Sequence, residues 1–360
     1  MRGRAASRAS RDQAGVCSSR GAGVSPAPSC RRAPRPPFRF IAHPGAGRGA
    51  FARRWPAVAA ALESAHLPHE VALTASAGEA AELARRAVDE GARVVIAVGG
   101  DGTLHEVANG LLEGREQLPD GVAVGLVPAG RGSDYARGLR LPDDPATLAA
   151  RFAAALEGDP GAFHTVDAAE VRYRRSALVA GRPLDDEAAS PETVRRFVNC
   201  AGIGFSPFVA QRTARFPPQL GAYLYTVSGI VTILDWRERL LELAWGTGEV
   251  ERVAVESIEL ALGPYEGGGM RVAPDADPAD GLFDVVIVGA IGRLEMLTFA
   301  WRVRSGDHLR NPQVQVRRTD RLTAVPVDDA GPVYLQADGE LLGRDPFAFR
   351  VLPAALRFVW

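Results

Sequence analysis

"RVVIAVGGDGTLHEVANGLLEG", Arg93 to Gly114, runs from an apolar strand through a doubled glycine and an aspartate into an amphipathic tail. Glycines this close together weaken both strand and helix, so they belong where something must come near the main chain. In the tail, Leu104, Val107, Ala108, Leu111 and Leu112 recur at helical spacing and form one face. Thr103 stands as the expected N-cap and Gly114 as the stop. A strand that turns through glycine into a helix start builds a phosphate site, because the first turn offers free N–H groups and the positive end of the helix dipole. Gly99, Gly100 and Gly102 leave room for a polyphosphate against the backbone, and Thr103 adds a hydroxyl. Asp101 is a poor partner for phosphate alone and makes sense through a divalent cation.

The same rhythm surrounds this stretch. "FRFIAHP", "HEVALT" and "VAVGLVPAG" read as strands, and "AFARRWPAVAAALESA" and "AGEAAELARRAVDEG" as helices. Strands alternating with helices predict βαβ units and a parallel sheet over residues 37–165. Residues 166–360 read differently. "HTVDAAEVRY", "RRFVNCAGIGF", "RVAVESIELALG", "MRVAPDA", "LFDVVIVGA", "NPQVQVRRT" and "GPVYLQADGE" are short runs broken by Gly, Pro and Asp, a mainly-β pattern. Only the segments around Leu220–Leu234 and Arg293–Arg304 look helical there, and "RRSALVAGRPLDDEAASPETVRR" reads as a polar hairpin or loop. Residues 1–36, rich in Arg, Ser, Ala and Pro, are expected to be a disordered tail. A transit peptide has that composition too, and an over-extended start is a third reading.

Composition narrows the function. The formal net charge of -1 over 360 residues argues against a nucleic-acid partner. The 3 cysteines lack metal-ligand spacing and fit a reducing cytoplasm, with Cys200 a small buried residue. "LGAYLYTVSGIVTILDW" falls short of the roughly 18 uninterrupted apolar residues of a membrane span. It is expected to be a packed helix, with a membrane-facing one as the alternative. The chain contains no lysine, which excludes the P-loop with its obligatory Lys. "GAGRGA" at Gly45–Ala50 is one residue short of the Rossmann fingerprint, and the second strand ends in Thr74 instead of an acid.

"GGDGTLHEVANGL" resembles the signature of the diacylglycerol kinase catalytic-domain family, which includes bacterial lipid kinases and sphingosine kinases. "HPGAGRG", Thr74, "PAGRGSDYARGL", "FVNCAGIGF", "GGGMRVAPDADPADGLFDVVIV" and "DGE" at Asp338–Glu340 are similar to the family's further motifs, in its order. GGDGT alone is shared with NAD kinases and related phosphofructokinases; the ordered set is specific. The resemblance implies an α/β, phosphofructokinase/NAD kinase-like nucleotide-binding domain and a β-sandwich domain, with the active site in the cleft between them. The C-terminal segment is expected to return to the first domain.

By the same resemblance the protein is an ATP- and Mg2+-dependent lipid kinase, cytoplasmic and transiently at the membrane surface, with a lipid substrate. Diacylglycerol leads as acceptor, with a sphingoid base or another amphiphile open, and a homodimer is one assembly allowed. Asp338 is the implied base, pointing into the cleft. Pro44, Gly45, Thr74, Gly99, Gly100, Asp101, Gly102, Thr103, Gly130, Arg131 and Glu340 are the implied nucleotide-binding residues. Asp101 and Glu340 are implied magnesium ligands, and Asp280 part of a structural magnesium site, against a reading of "DADPADGLFD" as a solvated acidic loop. His308 is expected to be structural. The chain departs from the pattern at His43 (for Asn), at Arg131 and Ser133 (for Thr and Asn), and at Gly263-Pro264 before the GGGM segment. An NAD kinase and a silent lipid- or nucleotide-binding protein are the competing readings.

Overall fold

The computed structural model describes residues 36–45, 49–129, 133–175, 178–179, 182–183, 192–213, 224–327 and 330–360. The first part alternates β1 (Phe38–Ala42), α1 (Ala50–Ser64), β2 (His69–Leu73), α2 (Glu79–Asp89), β3 (Val94–Gly99), α3 (Asp101–Leu111), β4 (Ala123–Pro128), α4 (Asp134–Gly138) and α5 (Pro145–Glu157). The strands pair in the order β2-β1-β3-β4, all parallel. β3 explains why such strands read as unbroken apolar runs. Val95 and Ala97 enter a core shared with α2 and α3, while Val94, Ile96 and Val98 enter a second core with α1 and α5. Both faces are covered by helices, so every position is buried.

The chain then runs through β5 (Phe163–Arg175), a short hairpin of β6 (Leu178–Val179) and β7 (Arg182–Pro183), β8 (Glu192–Phe197), β9 (Cys200–Gly204), α6 (Phe205–Thr213) and α7 (Leu224–Asp235). It continues through β10 (Arg239–Trp245), β11 (Val250–Val255), β12 (Ser257–Ala261), β13 (Phe283–Val288), α8 (Arg293–Ser305), β14 (Val314–Thr319), β15 (Arg321–Pro326), β16 (Tyr334–Ala337) and β17 (Glu340–Val359). One layer is ordered β14-β13-β12-β9-β16-β17, and a second is built from β11, β10, β15, β17, β5 and β8. Ala201, Ile203, Ile258, Leu260, Phe283 and Leu335 of the first meet Val171, Leu241, Leu243, Leu322, Phe347 and Phe349 of the second. That is a β-sandwich core.

β17 joins the two halves: its start pairs β16, its middle pairs β15, β5 pairs it from Gly343 to Val359, and Phe358 pairs Val124 of β4 in parallel. Several sequence expectations need correction. Residues 205–213, whose first residue closes a run that reads as strand, form α6. "MRVAPDA" is not a strand, since only Met270 makes an isolated bridge, to Glu266, and the chain then turns. α3 begins at Asp101 with Gly100 as N-cap, so Thr103 lies inside the first turn. The helix expected around Leu220–Leu234 is described from Leu224, and residues 214–223 lie outside the described set, as does most of the expected polar loop.

Candidate functional site

In the parallel sheet, β1 leads outward to β2 and the chain returns past it to β3. The strand order reverses between β1 and β3, and open α/β sheets bind ligands beside such a switch point at the carboxyl ends of the strands. His43, Pro44 and Gly45 follow β1 there and are exposed. Thr74 follows β2. Its N–H donates to the Ala42 carbonyl at 2.9 Å and its hydroxyl bonds His43 Nδ1 at 2.8 Å. The substitution at position 43 therefore gives the buried Thr74 side chain a partner. Between them, β3 delivers Gly99 and Gly100 to the start of α3.

Thr103 folds back over Gly99, whose Cβ, if present, would lie 2.8 Å from Thr103 Cβ. Gly102 faces open space, with nothing within 4 Å of where a side-chain carbon would stand. The Asp101 carboxylate accepts from the N–H groups of Asp134 and Tyr135, both at 3.0 Å, and so caps α4. Burial raises its pKa, and these two bonds pull the other way. Asp134 in turn accepts from Gly268 N–H at 2.7 Å and pairs with Arg137 at 2.5 Å. The three glycine-rich segments of the sequence are thus stitched together by two aspartates. Gly130 and Arg131 lie outside the described residues.

One turn further along α3, His105 has no exposed surface and meets residues of the β-sandwich. Its Nδ1 bonds Asp338 Oδ2 at 2.8 Å. Asp338 is not turned into an open cleft. Its backbone is left-handed, with φ 48°, and this folds the side chain inward. Oδ2 also accepts from Val198 N–H at 2.9 Å, and Oδ1 accepts from Asn199 and Cys200 N–H at 3.0 and 3.3 Å. A carboxylate has about four lone-pair sites, so Asp338 is fully engaged. Glu340, about one-third exposed, pairs with Arg195 Nη2 at 3.0 Å and approaches His105 Nε2 at 3.4 Å. Burial would raise the Glu340 pKa, but the His105 hydrogen bond and the charges of His105 and Arg195 bring it to about 2.

His105 is the missing centre of this group. Burial lowers its pKa, yet its bonds to Asp338 and Glu340 outweigh burial and push it up to about 9. Arg195 Nε also lies 3.0 Å from His105 Nε2, an approach that is a hydrogen bond only when the ring is neutral. Charge balance decides between the two. With the imidazolium, two carboxylates meet two cations; without it the enclosed cluster carries a net negative charge.

Beside Asp338, β12, β9 and β16 align Glu259, Gly202 and Gln336 in one row. With no side chain at Gly202, Glu259 leans over it and bonds Ser206 at 2.8 Å, and its buried Oε2 has no hydrogen-bond partner among the described residues. Gln336 bonds Glu266 through its amide and accepts from Gly339 N–H at 3.0 Å. Burial pushes Glu266 up to about 7, and Glu259 well above the carboxylate range. Asp280 lies apart, held by Arg318 and by Leu282 N–H at 3.0 Å. Among the described residues, no group of three or more His, Cys, Asp or Glu side chains is placed to hold a metal ion by itself. His308 is buried and bonds the Val272 carbonyl at 3.0 Å. His105, Asp134, Arg195, Glu259 and Glu266 are members of the site that the sequence reading misses. Only Asp134 has a local signal, its place after the glycines of "PAGRGSD".

Comparison with known proteins agrees with the fold, a parallel-sheet part followed by a β-sandwich. Residues 37–166 match the model of the diacylglycerol kinase catalytic domain, and residues 199–360 that of the YegS C-terminal NAD kinase beta sandwich-like domain. A diacylglycerol kinase of Bacillus subtilis (strain 168) is 25% identical over 314 residues, covering 86% of this chain and 92% of that one. One of Staphylococcus saprophyticus is 25% identical over 312 residues, covering 86% and 91%. The crystal structure of a diacylglycerol kinase from Bacillus anthracis str. Sterne superposes with a TM-score of 0.60 at 19% identity, over 90% of this chain and 96% of that one.

Proposed function

The chain belongs to the diacylglycerol kinase catalytic-domain family and is a lipid kinase, and from that premise we propose that it transfers the γ-phosphate of ATP, with Mg2+, to the hydroxyl of diacylglycerol at a cytoplasmic membrane surface. The observation that carries this reading is a single helix. α3 begins with Asp101 in the glycine turn and, four residues on, presents His105 to Asp338 and Glu340. The phosphate end and the proton-handling end of the reaction are thereby fixed to one rigid element. Phosphoryl transfer needs little more than such positioning and charge neutralisation.

The chain's own residues divide the work. The turn Gly99–Thr103, with Pro44, Gly45 and Thr74 on neighbouring segments, receives the triphosphate, and the resemblance to the family adds Gly130 and Arg131 to these residues. Asp338 takes up the acceptor's proton. Its Oδ1 is the oxygen to release a partner, because the Cys200 N–H bond is the long one at 3.3 Å. Mg2+ in such sites takes one or two carboxylates plus phosphate oxygens. Asp101, with two protein donors among the described residues, fits that need, and Glu340 fits it once released from Arg195. The ion would supply charge neutralisation of the phosphates. Glu259, whose buried Oε2 has no hydrogen-bond partner among the described residues, offers a hydrogen bond to the acceptor's polar end.

Gly99→Ala tests the turn. The new methyl displaces the Thr103 side chain, so the KM for ATP should rise by about tenfold or more at temperatures where the overpacked variant is still folded. An unchanged KM would remove the turn from the nucleotide site. The acceptor is tested by presenting diacylglycerol, monoacylglycerol, sphingosine and undecaprenol in detergent micelles with labelled ATP and Mg2+. Diacylglycerol should have the highest kcat/KM; a tenfold preference for another lipid would replace it in this reading.

A further inference from the structure

α8 is apolar on two opposite faces. Met296, Phe299 and Val303 point inward and pack on the core that holds Val288, Ile291 and Val314. On the other side Leu294, Leu297 and Trp301 stand at i, i+3 and i+7, with exposures of 82%, 45% and 75%. The inward stripe accounts for the fold, and the outward one has no counterpart in it. α7 packs against α8 and repeats the pattern. Its Ser228, Thr232 and Ile233 are buried, while Ile230 and Leu234 are 46% and 60% exposed. Scattered surface leucines need no explanation, but five large apolar side chains on two packed helices mark a contact surface.

The charges beside the stripe say what it contacts. Residues 293–310 carry four arginines (Arg293, Arg302, Arg304, Arg310) and two acids (Glu295, Asp307). Arg302 pairs with Glu295 at 3.2 Å and Arg310 with Asp307 at 2.9 Å. Arg293 and Arg304 make no ion pair among the described residues. They line the stripe: Arg293 comes four residues before Leu297, and Arg304 three after Trp301 and seven after Leu297. An exposed tryptophan, leucines and uncompensated arginines along one helix face are the equipment of a helix lying in a lipid headgroup boundary. A second copy of the chain is a poorer fit, because an isologous contact sets this surface against itself, and both acids of residues 293–310 already pair with Arg302 and Arg310.

We propose that the outer face of α7 and α8 is a docking surface for bilayers containing anionic lipid. Leu294, Leu297, Trp301, Ile230 and Leu234 enter the acyl–headgroup boundary, and Arg293 and Arg304 pair with lipid phosphates. The surface rests on the lipid-kinase reading for its purpose, which is to hold the enzyme where a water-insoluble acceptor lies. It uses no residue of the candidate catalytic site.

Flotation of the full chain with vesicles of phosphatidylcholine, with and without phosphatidylglycerol, tests it. Wild type should bind the anionic vesicles. The double variant Leu294→Glu/Trp301→Glu should bind about tenfold more weakly or worse, and Arg293→Gln/Arg304→Gln should lose most of the preference for anionic lipid, about fivefold for each arginine. All the substituted side chains are exposed, and a water-soluble short-chain diacylglycerol assayed in parallel should be phosphorylated at the wild-type rate by both variants. Equal vesicle binding by wild type and the Glu variant, or no binding by either, overturns the proposal. So does a wild-type dimer in sedimentation equilibrium that the Glu variant converts to monomer. If vesicle binding is lost in the variant as expected but wild type phosphorylates no acceptor, the docking surface stands and the kinase reading fails.

Discussion

Asp338→Asn is expected to reduce kcat by about a thousandfold, within the range for loss of a positioned general base, and to destabilise the fold as well. The carboxylate accepts from Val198, Asn199 and Cys200 N–H groups and from His105. An asparagine has one oxygen, so its amide NH2 must face donors, leaving one or two buried N–H groups without an acceptor. At about 1–3 kcal/mol for each unsatisfied group, the cost is roughly 2–4 kcal/mol. Denaturant unfolding gives the stability change, and kcat and the KM for ATP are then measured well below the variant's melting temperature. There kcat should be lost and KM nearly unchanged. A folded Asn variant with wild-type kcat would make Asp338 a structural clamp for residues 198–200 and move the base elsewhere.

The second large effect is a pH dependence of stability that belongs to His105. Its folded value of about 9 lies above the ordinary 6.5. The charged ring's contribution is therefore complete below pH 6.5 and is lost as the pH rises through 9. At about 1.4 kcal/mol per pKa unit, roughly 3 kcal/mol should disappear over that window. The low value of Glu340 reflects in part the same contact and is not added to it. His105→Gln should be less stable at pH 6 and should flatten the profile between pH 6.5 and 9. An equally steep fall in the variant would assign the slope to another group. A flat wild-type profile would mean that the ring is neutral and that the Arg195 Nε contact is its resting state.

The parts of this molecule that are readable in sequence are those whose cause is local. β1, β3 and β4 are covered on both faces, so their apolar runs stand out, and the glycine turn before α3 is a contiguous signature. The hidden parts depend on distant partners. β17 contains Gly343, Pro346 and Pro353 and looks like several short runs, yet it is one 20-residue strand because β5 pairs along it from Gly343 to Val359 while β16, β15 and β4 bind successive parts of it. α6 has no strong apolar stripe and merges in sequence with the strand before it. His105 reads as an ordinary helical position; it becomes central only when Asp338, 233 residues away, and Arg195, 90 residues away, are folded onto it. Asp338 itself is visible in "DGE", but its inward direction follows from a left-handed backbone that no local pattern announces. The helix at Leu224–Asp235 reads as packed, with a membrane-facing alternative. One face is packed and Ile230 and Leu234 are left outside.

The most direct test of lipid-kinase chemistry is the destination of the γ-phosphate. Purified protein, γ-labelled ATP and Mg2+ are incubated with diacylglycerol in mixed micelles and, separately, with NAD, and the organic and aqueous products are resolved. Label in an organic-soluble phosphate ester, dependent on Mg2+ and absent with Asp338→Asn, is the predicted result. Label transferred to NAD, with none entering the organic phase, would contradict it.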